Sequence, residues 1–336
     1  MVVDDSAIVR GLIIQMLERR PGIQIVARAS NGEAALAELD RTEADVIVLD
    51  LEMPVMDGMT ALPRLLAKQP GVKIVVASTL SRRNARVSLE ALQQGASDYV
   101  PKPETGTLVN AAEFERELVD KVLALAPRSG VTDAPAPRTT PRSATAVRPG
   151  IIAIGGSTGA PPVLLELIAG LKEAVTQPIL ITQHMPPTFT ALLAEQIERA
   201  GGRPCAEAQD GEAILPGRSY VAPGGWHMTV GRSGATPVIR LNQEPPEHYC
   251  RPAVDPMLRS AAATYGNRLL AVILTGMGSD GADGCQAVAR SNGRFIVQDE
   301  ATSAVWGMPG AAARTGLAEA ILPASQLPLW IREAAR

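Results

Sequence analysis

The chain has 336 residues, 46% of them hydrophobic but only 3% aromatic, and a net charge of −3. That length supports two domains, with cores that must be built from Ala, Val, Ile and Leu. The charge gives no reason to expect nucleic-acid binding, which usually shows as a basic stripe, no apolar run approaches the roughly 18 residues of a membrane span, and no signal peptide opens the chain, so we expect a cytoplasmic protein with no direct membrane insertion.

Over the first third, short aliphatic strands alternate with amphipathic helices. Val2-Val3 precedes a helix from Arg10 to Arg19, Ile23 to Ala27 one around Glu33 to Leu39, and Val46 to Leu49 one near Leu62 to Ala67. Ile74 to Ala77 then leads into Arg86 to Gln94, and Tyr99-Val100 into Leu108 to Leu125. Five such units predict a doubly wound parallel sheet with its chemistry at the strand C-termini. Asp4 and Asp5 follow the first strand, Asp50 ends the third, Ser78 and Thr79 end the fourth, and Lys102 follows the fifth. Three carboxylates at one sheet edge repel one another unless a cation binds them, and hard oxygen ligands suit Mg²⁺. Such a cluster can hold a phosphoryl group: one carboxylate attacks, a metal and a lysine neutralise the oxygens, and a hydroxyl reports the result.

These pieces resemble the response-regulator receiver family. They are Val-Val-Asp4-Asp5-Ser6, Val-Leu-Asp50-Leu-Glu-Met-Pro54, Met-Asp57-Gly58, Ser78 and Lys102-Pro103. The resemblance implies a flavodoxin-like domain with Asp50 as phospho-acceptor and Asp4, Asp5 and Asp50 as the Mg²⁺ site. It implies Ser78 as the switch hydroxyl, Lys102 as the phosphate partner and Tyr99 as the aromatic that changes rotamer. One departure is the three-residue lead before Asp4, where the family has a full strand. We expect either a start set too late or a truncated chain.

Residues 126–149 then break the pattern. Five prolines and Arg128, Arg138, Arg142 and Arg148, without apolar periodicity, predict a flexible linker. The expected division is therefore 1–125, a receiver domain; 126–149, the linker; and 150–336, a catalytic domain.

Alternation resumes with a strand at Ile151 to Ile154 and a helix from Val163, then a strand at Ile179 to Thr182 and a helix from Phe189 to Arg199. Short strands at Tyr220-Val221, Met228 to Val230 and Val238 to Leu241 read as a β-hairpin insertion. Helix Met257 to Tyr265, strand Leu270 to Leu274, helix Ala282 to Ser291 and strand Phe295 to Val297 follow. This is again α/β. Cys205, Cys250 and Cys285 form no zinc spacing and read as small buried thiols.

Ser157 stands in Ile154-Gly-Gly-Ser157-Thr-Gly159, where a strand turns sharply into a helix, a geometry that exposes a nucleophile. Of three histidines, His184 lies just past another strand end and so on the same sheet edge, which suits a general base. His227 reads as a satisfied structural histidine and His248 as a surface one. A third strand enters the Gly-rich turn Thr275-Gly-Met277-Gly-Ser-Asp280-Gly-Ala-Asp283, where a carboxylate could orient the imidazole and backbone N–H groups could hold an oxyanion. Asp280 lies closer to the strand end, and Asp283 suits the first turn of a helix. Nucleotide binding is disfavoured, because G-x-G-x-x-G started at Gly155 meets Ser157 and Ala160 in place of glycines. Gly155 to Gly159 does satisfy G-x-S-x-G, but the order Ser157, His184, Asp280 is not the Ser, acid, His order of α/β-hydrolases.

Together with Tyr220-Val-Ala-Pro-Gly and Arg251-Pro-x-Val-Asp255, these runs resemble the chemotaxis protein-glutamate methylesterases, the CheB family, over nearly the whole chain. Trp226 departs from the polar residue usual there and could alter a partner surface. The resemblance implies Ser157 as nucleophile, His184 as base, Asp280 as orienting acid and the Met277 backbone N–H as oxyanion donor. It implies a phosphorylation-activated serine esterase, with no cofactor for hydrolysis, acting on glutamate methyl esters of methyl-accepting chemoreceptors and deamidating glutamines there. A chemotaxis histidine kinase would be the phosphodonor, and the expected state is a monomer. With both sites on one chain, the unmodified receiver is expected to cover the esterase cleft until Asp50 is phosphorylated. With His184 at an ordinary imidazole value of about 6.5, activity is expected to rise through neutral pH. The alternatives are the same esterase in a chemosensory pathway unrelated to motility, and a phosphorylation-controlled receptor-binding module without activity.

Overall fold

A computed structural model describes residues 1–79, 81–102, 108–172 and 174–336, except 128–146. The chain divides into two compact units, Met1–Val131 and Thr132–Arg336. The expected linker at 126–149 falls mainly on residues that lie outside this description.

In the first unit, strands β1 (Val2–Val3), β2 (Arg28–Ala29), β3 (Val46–Asp50), β4 (Lys73–Thr79) and β5 (Asp98–Lys102) form one sheet in the order β2-β1-β3-β4-β5. All pairings are parallel. Helices α1 (Ala7–Glu18), α2 (Gly32–Glu38), α3 (Gly58–Lys68), α4 (Arg82–Gln93) and α5 (Leu108–Leu125) alternate with them. Short polar side chains start the helices: Asn31, Asp57 and Ser81 each accept the N–H three residues on, replacing a bond the first turn lacks. The order reverses between β1 and β3, so Asp4, Asp5 and Asp50 meet at the switch point. One expected strand moves. The run Ile23 to Ala27 is not β2, because β1 offers only Val2 and Val3, and these pair with Arg28 and Ala29.

The second unit holds a seven-stranded sheet and a hairpin. Its strands are β6 (Ile151–Gly156), β7 (Ile179–Gln183), β8 (Cys205–Glu207), β9 (Ser219–Val221), β10 (His227–Ser233), β11 (Thr236–Asn242), β12 (Leu269–Ile273), β13 (Arg294–Gln298) and β14 (Ala320–Leu322). Its helices are α6 (Ala160–Leu171), α7 (Pro187–Gly201), α8 (Val254–Tyr265), α9 (Ala282–Arg290), α10 (Met308–Arg314) and α11 (Leu327–Ala334). The sheet runs β14-β13-β12-β6-β7-β9-β8, wholly parallel, while β10 and β11 pair antiparallel. Every residue of β6, β7 and β12 is buried, as expected of strands covered on both faces. Strands β8 and β14 and helices α10 and α11 carry no clear pattern in the sequence; the strands have three residues each and both helices are led by proline. The strand order reverses between β6 and β12, which brings their Gly-rich turns together with the end of β7. Among the described residues no helix is long and apolar enough to cross a membrane.

Candidate active site

Register alone puts Ser157 beside His184. Gly156, the last residue of β6, pairs with Gln183, the last of β7, so the next residue on each strand is the serine and the histidine. Neighbouring strands lie about 4.8 Å apart, and the two side chains leave the sheet edge together. The backbone is pinned there: Ser157 N donates to Thr275 O at 3.1 Å, His184 N to Gly156 O at 3.2 Å, and Gln183 Nε2 to Ser157 O at 2.9 Å. Helix α6 starts at once because Gly159 takes φ +75°, which a side chain would strain. Gly276 packs against Ser157 so closely that a Cβ there would lie 2.8 Å from Ser157 Cβ.

Asp280 supplies the third member. It is 1% exposed and accepts N–H bonds from Val254 at 2.6 Å and Asp255 at 2.9 Å, the first amides of α8. His184 Nε2 lies 2.7 Å from its Oδ2. Burial opposes the Asp280 charge, but the His184 hydrogen bond and charge and the two amides outweigh it and hold the carboxyl below its ordinary value. Asp283 is exposed in the first turn of α9 and takes no part.

The peptide joining Gly276 to Met277 is turned by α10. Gly276 O accepts from Gly307 N at 3.1 Å and Met308 N at 2.8 Å. In a trans peptide the N–H points opposite to the carbonyl, so Met277 N–H faces away from α10. It has no protein acceptor among the described residues. Ser157 Oγ is likewise not hydrogen-bonded to His184 among them.

Two expectations need correction. Cys250 is not a buried structural thiol: it is half-buried, and its Sγ lies 3.3 Å from His184 Nδ1. The loop ahead of α8 brings it there across 66 residues, which no local spacing could signal. His184 is not an ordinary imidazole. Burial lowers its basicity, but the neighbouring Cys250 sulfur and the Asp280 carboxylate raise it further, up to about 10. His248 is exposed, as expected of a surface histidine, and its Nε2 lies 3.0 Å from Oδ2 of buried Asp255. Gly284 N donates to the other Asp255 oxygen at 2.6 Å; burial and then Asp280 nearby raise this carboxyl to about 6. His227 is a satisfied structural histidine, with Nε2 on Pro245 O and Nδ1 accepting from Ala253 N. Trp226 is exposed.

In the first unit, Lys102 Nζ lies 2.7 Å from Asp4 Oδ2 and 2.9 Å from Asp50 Oδ2. Asp50 is 7% exposed; burial raises its pKa, Lys102 lowers it, and the result is raised. Carboxylate oxygens of Asp4, Asp5 and Asp50 lie within 4.8 Å of one another, and Asp5 faces solvent. This donor set of hard oxygens with one open side fits Mg²⁺. Ser78 is buried, and its Oγ is 2.6 Å from Ser88 Oγ of α4. Tyr99 is buried with Lys121 Nζ 5.0 Å from its ring centre, and Lys121 pairs with Asp98 and Glu117.

Comparison with known proteins agrees with both units. Residues 152–331 match the CheB methylesterase family and residues 1–113 the response regulator receiver domain. A protein-glutamate methylesterase/protein-glutamine glutaminase of Paramagnetospirillum magneticum is 52% identical, covering 100% of this chain and 95% of its own. One from Azospirillum brasilense is 50% identical over 99% of this chain and 91% of its own. The crystal structure of the Thermotoga maritima CheB methylesterase catalytic domain superposes with a TM-score of 0.54 at 38% identity, covering 56% of this chain and 99% of that one. The chain therefore belongs to the CheB methylesterase family, in the form that carries a response regulator receiver domain ahead of the esterase.

Proposed function

We propose that the chain hydrolyses γ-glutamyl methyl esters on methyl-accepting chemoreceptors, and deamidates glutamines there, under control of phosphorylation at Asp50. The proposed division is a receiver at 1–125, a flexible linker at 126–149 and a catalytic domain from 150, acting as a monomer in the cytoplasm. The observation that carries the reading is the adjacency of Ser157 and His184 at the paired ends of β6 and β7, with buried Asp280 on the far nitrogen of the ring. An ionised carboxylate only accepts, so Asp280 fixes the hydrogen on Nε2 and leaves the Nδ1 lone pair for the serine proton. Ser157 Oγ attacks the ester carbonyl as its proton passes to Nδ1, and Met277 N–H, which faces away from α10, is the proposed oxyanion donor. Methanol leaves with the proton from Nδ1, or ammonia does from glutamine. Water then repeats the sequence and frees the glutamate carboxylate.

In the receiver, Asp4, Asp5 and Asp50 would hold Mg²⁺, which when bound supplies positive charge beside the phosphoryl oxygens. Asp50 is the acceptor, Lys102 its neutralising partner, and Ser78 and Tyr99 the groups whose packing changes; for Ser78 that means leaving Ser88. A histidine kinase is the proposed phosphodonor. A hundredfold activation needs about 2.7 kcal/mol of differential stability.

The test incubates the full chain with methylated receptor membranes from the same genome and measures methanol, with and without Mg²⁺ and a small phosphodonor. The expected result is release that rises with phosphodonor, is abolished by Ser157→Ala, and loses its phosphodonor response in Asp50→Asn. Methanol release by Ser157→Ala at the parent rate would overturn the reading. Failure of a fluorophosphonate to label Ser157 would leave a binding module instead.

A further inference from the structure

His184 has two ring nitrogens and three neighbours that compete for them. Asp280 takes Nε2 at 2.7 Å, and Cys250 Sγ lies 3.3 Å from Nδ1, within hydrogen-bond reach for sulfur. The thiol therefore sits on the lone pair that the serine proton needs. It is held there firmly. Glu247 and Cys250 exchange backbone hydrogen bonds, N to O at 3.1 and 2.8 Å, across a turn in which His248 and Tyr249 take φ of +51° and +63°. Two successive non-glycine residues in that region persist only where surrounding contacts impose them. Arg251 O accepts from Gly225 N at 2.9 Å, and α8 follows at Val254.

We propose that Cys250 is a positioning residue for the base: its thiol shares one proton with His184, and Ser157 must compete with it for Nδ1. This rests on the assignment of Ser157 and His184 as nucleophile and base. In the exchange the S–H bond breaks and an N–H bond forms, leaving a thiolate beside an imidazolium with no proton gained or lost. Only the thiol form leaves an imidazole that can accept from Ser157. Asp280, on the other nitrogen, favours the charged form. The other titratable groups near Asp280 among the described residues are Asp255 of α8, which stands next to it, His248, which pairs with Asp255, Arg259 of α8, which pairs with Glu247 and feels both aspartates, and buried Cys285 of α9. The upward shift of the imidazole, shared between Cys250 and Asp280, agrees with such a pair. The other two cysteines are buried, which makes Cys250 the accessible thiol.

The experiment uses the full chain in two arms. In the first, a fluorophosphonate labels Ser157 between about pH 6 and pH 10 in the parent, Cys250→Ala and Cys250→Ser. Cys250→Ala should move the acid limb at least about one pH unit lower and so label about tenfold faster at neutral pH. Cys250→Ser keeps a hydroxyl donor that does not ionise in this range, and should follow Cys250→Ala. A folded Cys250→Ala with the parent's limb overturns the proposal. In the second arm, iodoacetamide alkylates Cys250 at about pH 6, where only a thiolate paired with a cation reacts readily. The parent should react at least tenfold faster than His184→Gln, and equal rates overturn the proposal. A parent that never labels at Ser157 defeats the esterase reading alone, because the alkylation arm still decides on the pair.

Discussion

Replacing Asp280 by Asn removes one charge at nearly constant volume, and the site shows what that costs. Three donors converge on the carboxylate: Val254 N and His184 Nε2 on Oδ2, and Asp255 N on Oδ1. An amide has one oxygen, so its NH₂ must face at least one N–H. Placing the NH₂ at Oδ1 sacrifices the Asp255 bond alone and keeps the ring in place. One buried donor is then orphaned, worth about 1–3 kcal/mol, or about 2–4 °C in Tm per kcal/mol for a unit of this size. The rate should suffer far more. The imidazolium formed during attack loses its anion, and analogous triads lose about 10⁴ in kcat on such a change. The Asp280 pKa is lowered in the fold, so its stabilisation is present above the ordinary carboxyl range and lost as pH falls. The stability gap between parent and Asp280→Asn should therefore narrow in acid. Denaturant melts at two pH values and the rate of Ser157 phosphonylation measure both effects. Labelling within threefold of the parent, with stability lowered as expected, would refute Asp280 as the orienting acid.

Other outcomes follow from the same contacts. Gly276→Ala places a methyl 2.8 Å from Ser157 Cβ and against buried Met308, so the nucleophile must move; we expect about 1–3 kcal/mol of destabilisation and about a hundredfold slower methanol release. Lys102→Ala leaves the Asp4 and Asp50 carboxylates unpaired. The receiver should lose about 3–5 kcal/mol near neutral pH by denaturant melts, with the deficit shrinking as acid protonates Asp50, whose pKa is raised. Asp255 titrates at about 6, above its unfolded value, so its stabilisation is complete in acid and lost as pH rises through about 6. Asp255→Asn should flatten the fall in stability between about pH 4 and pH 7 by up to roughly 3 kcal/mol; a parent with no such fall would contradict the raised value.

The two strand–helix alternations were legible because period and breakers act over a few residues. So were Asp50, Lys102, Ser157, His184 and Asp280 as candidates, since each stands just past an aliphatic run and a parallel sheet delivers such positions to one edge. Strand β2 was misplaced because its extent is set by its partner: only Val2 and Val3 of β1 are there to pair with it. The hydrogen bond from His184 to Asp280 spans 96 residues and that from His184 to Cys250 spans 66. The strand order makes the first and the loop ahead of α8 the second, and no local pattern encodes either.

By itself, then, the sequence determined most of the strand–helix alternation and marked which side chains are candidates for chemistry, because backbone propensity and motif spacing are local. Tertiary structure alone decided that α8 amides donate to Asp280 and that a half-buried thiol lies against Nδ1 of His184. It also decided that Ser78 rests on Ser88. These depend on which distant segments share a low-dielectric site, where a single hydrogen bond or charge fixes the state of its neighbour.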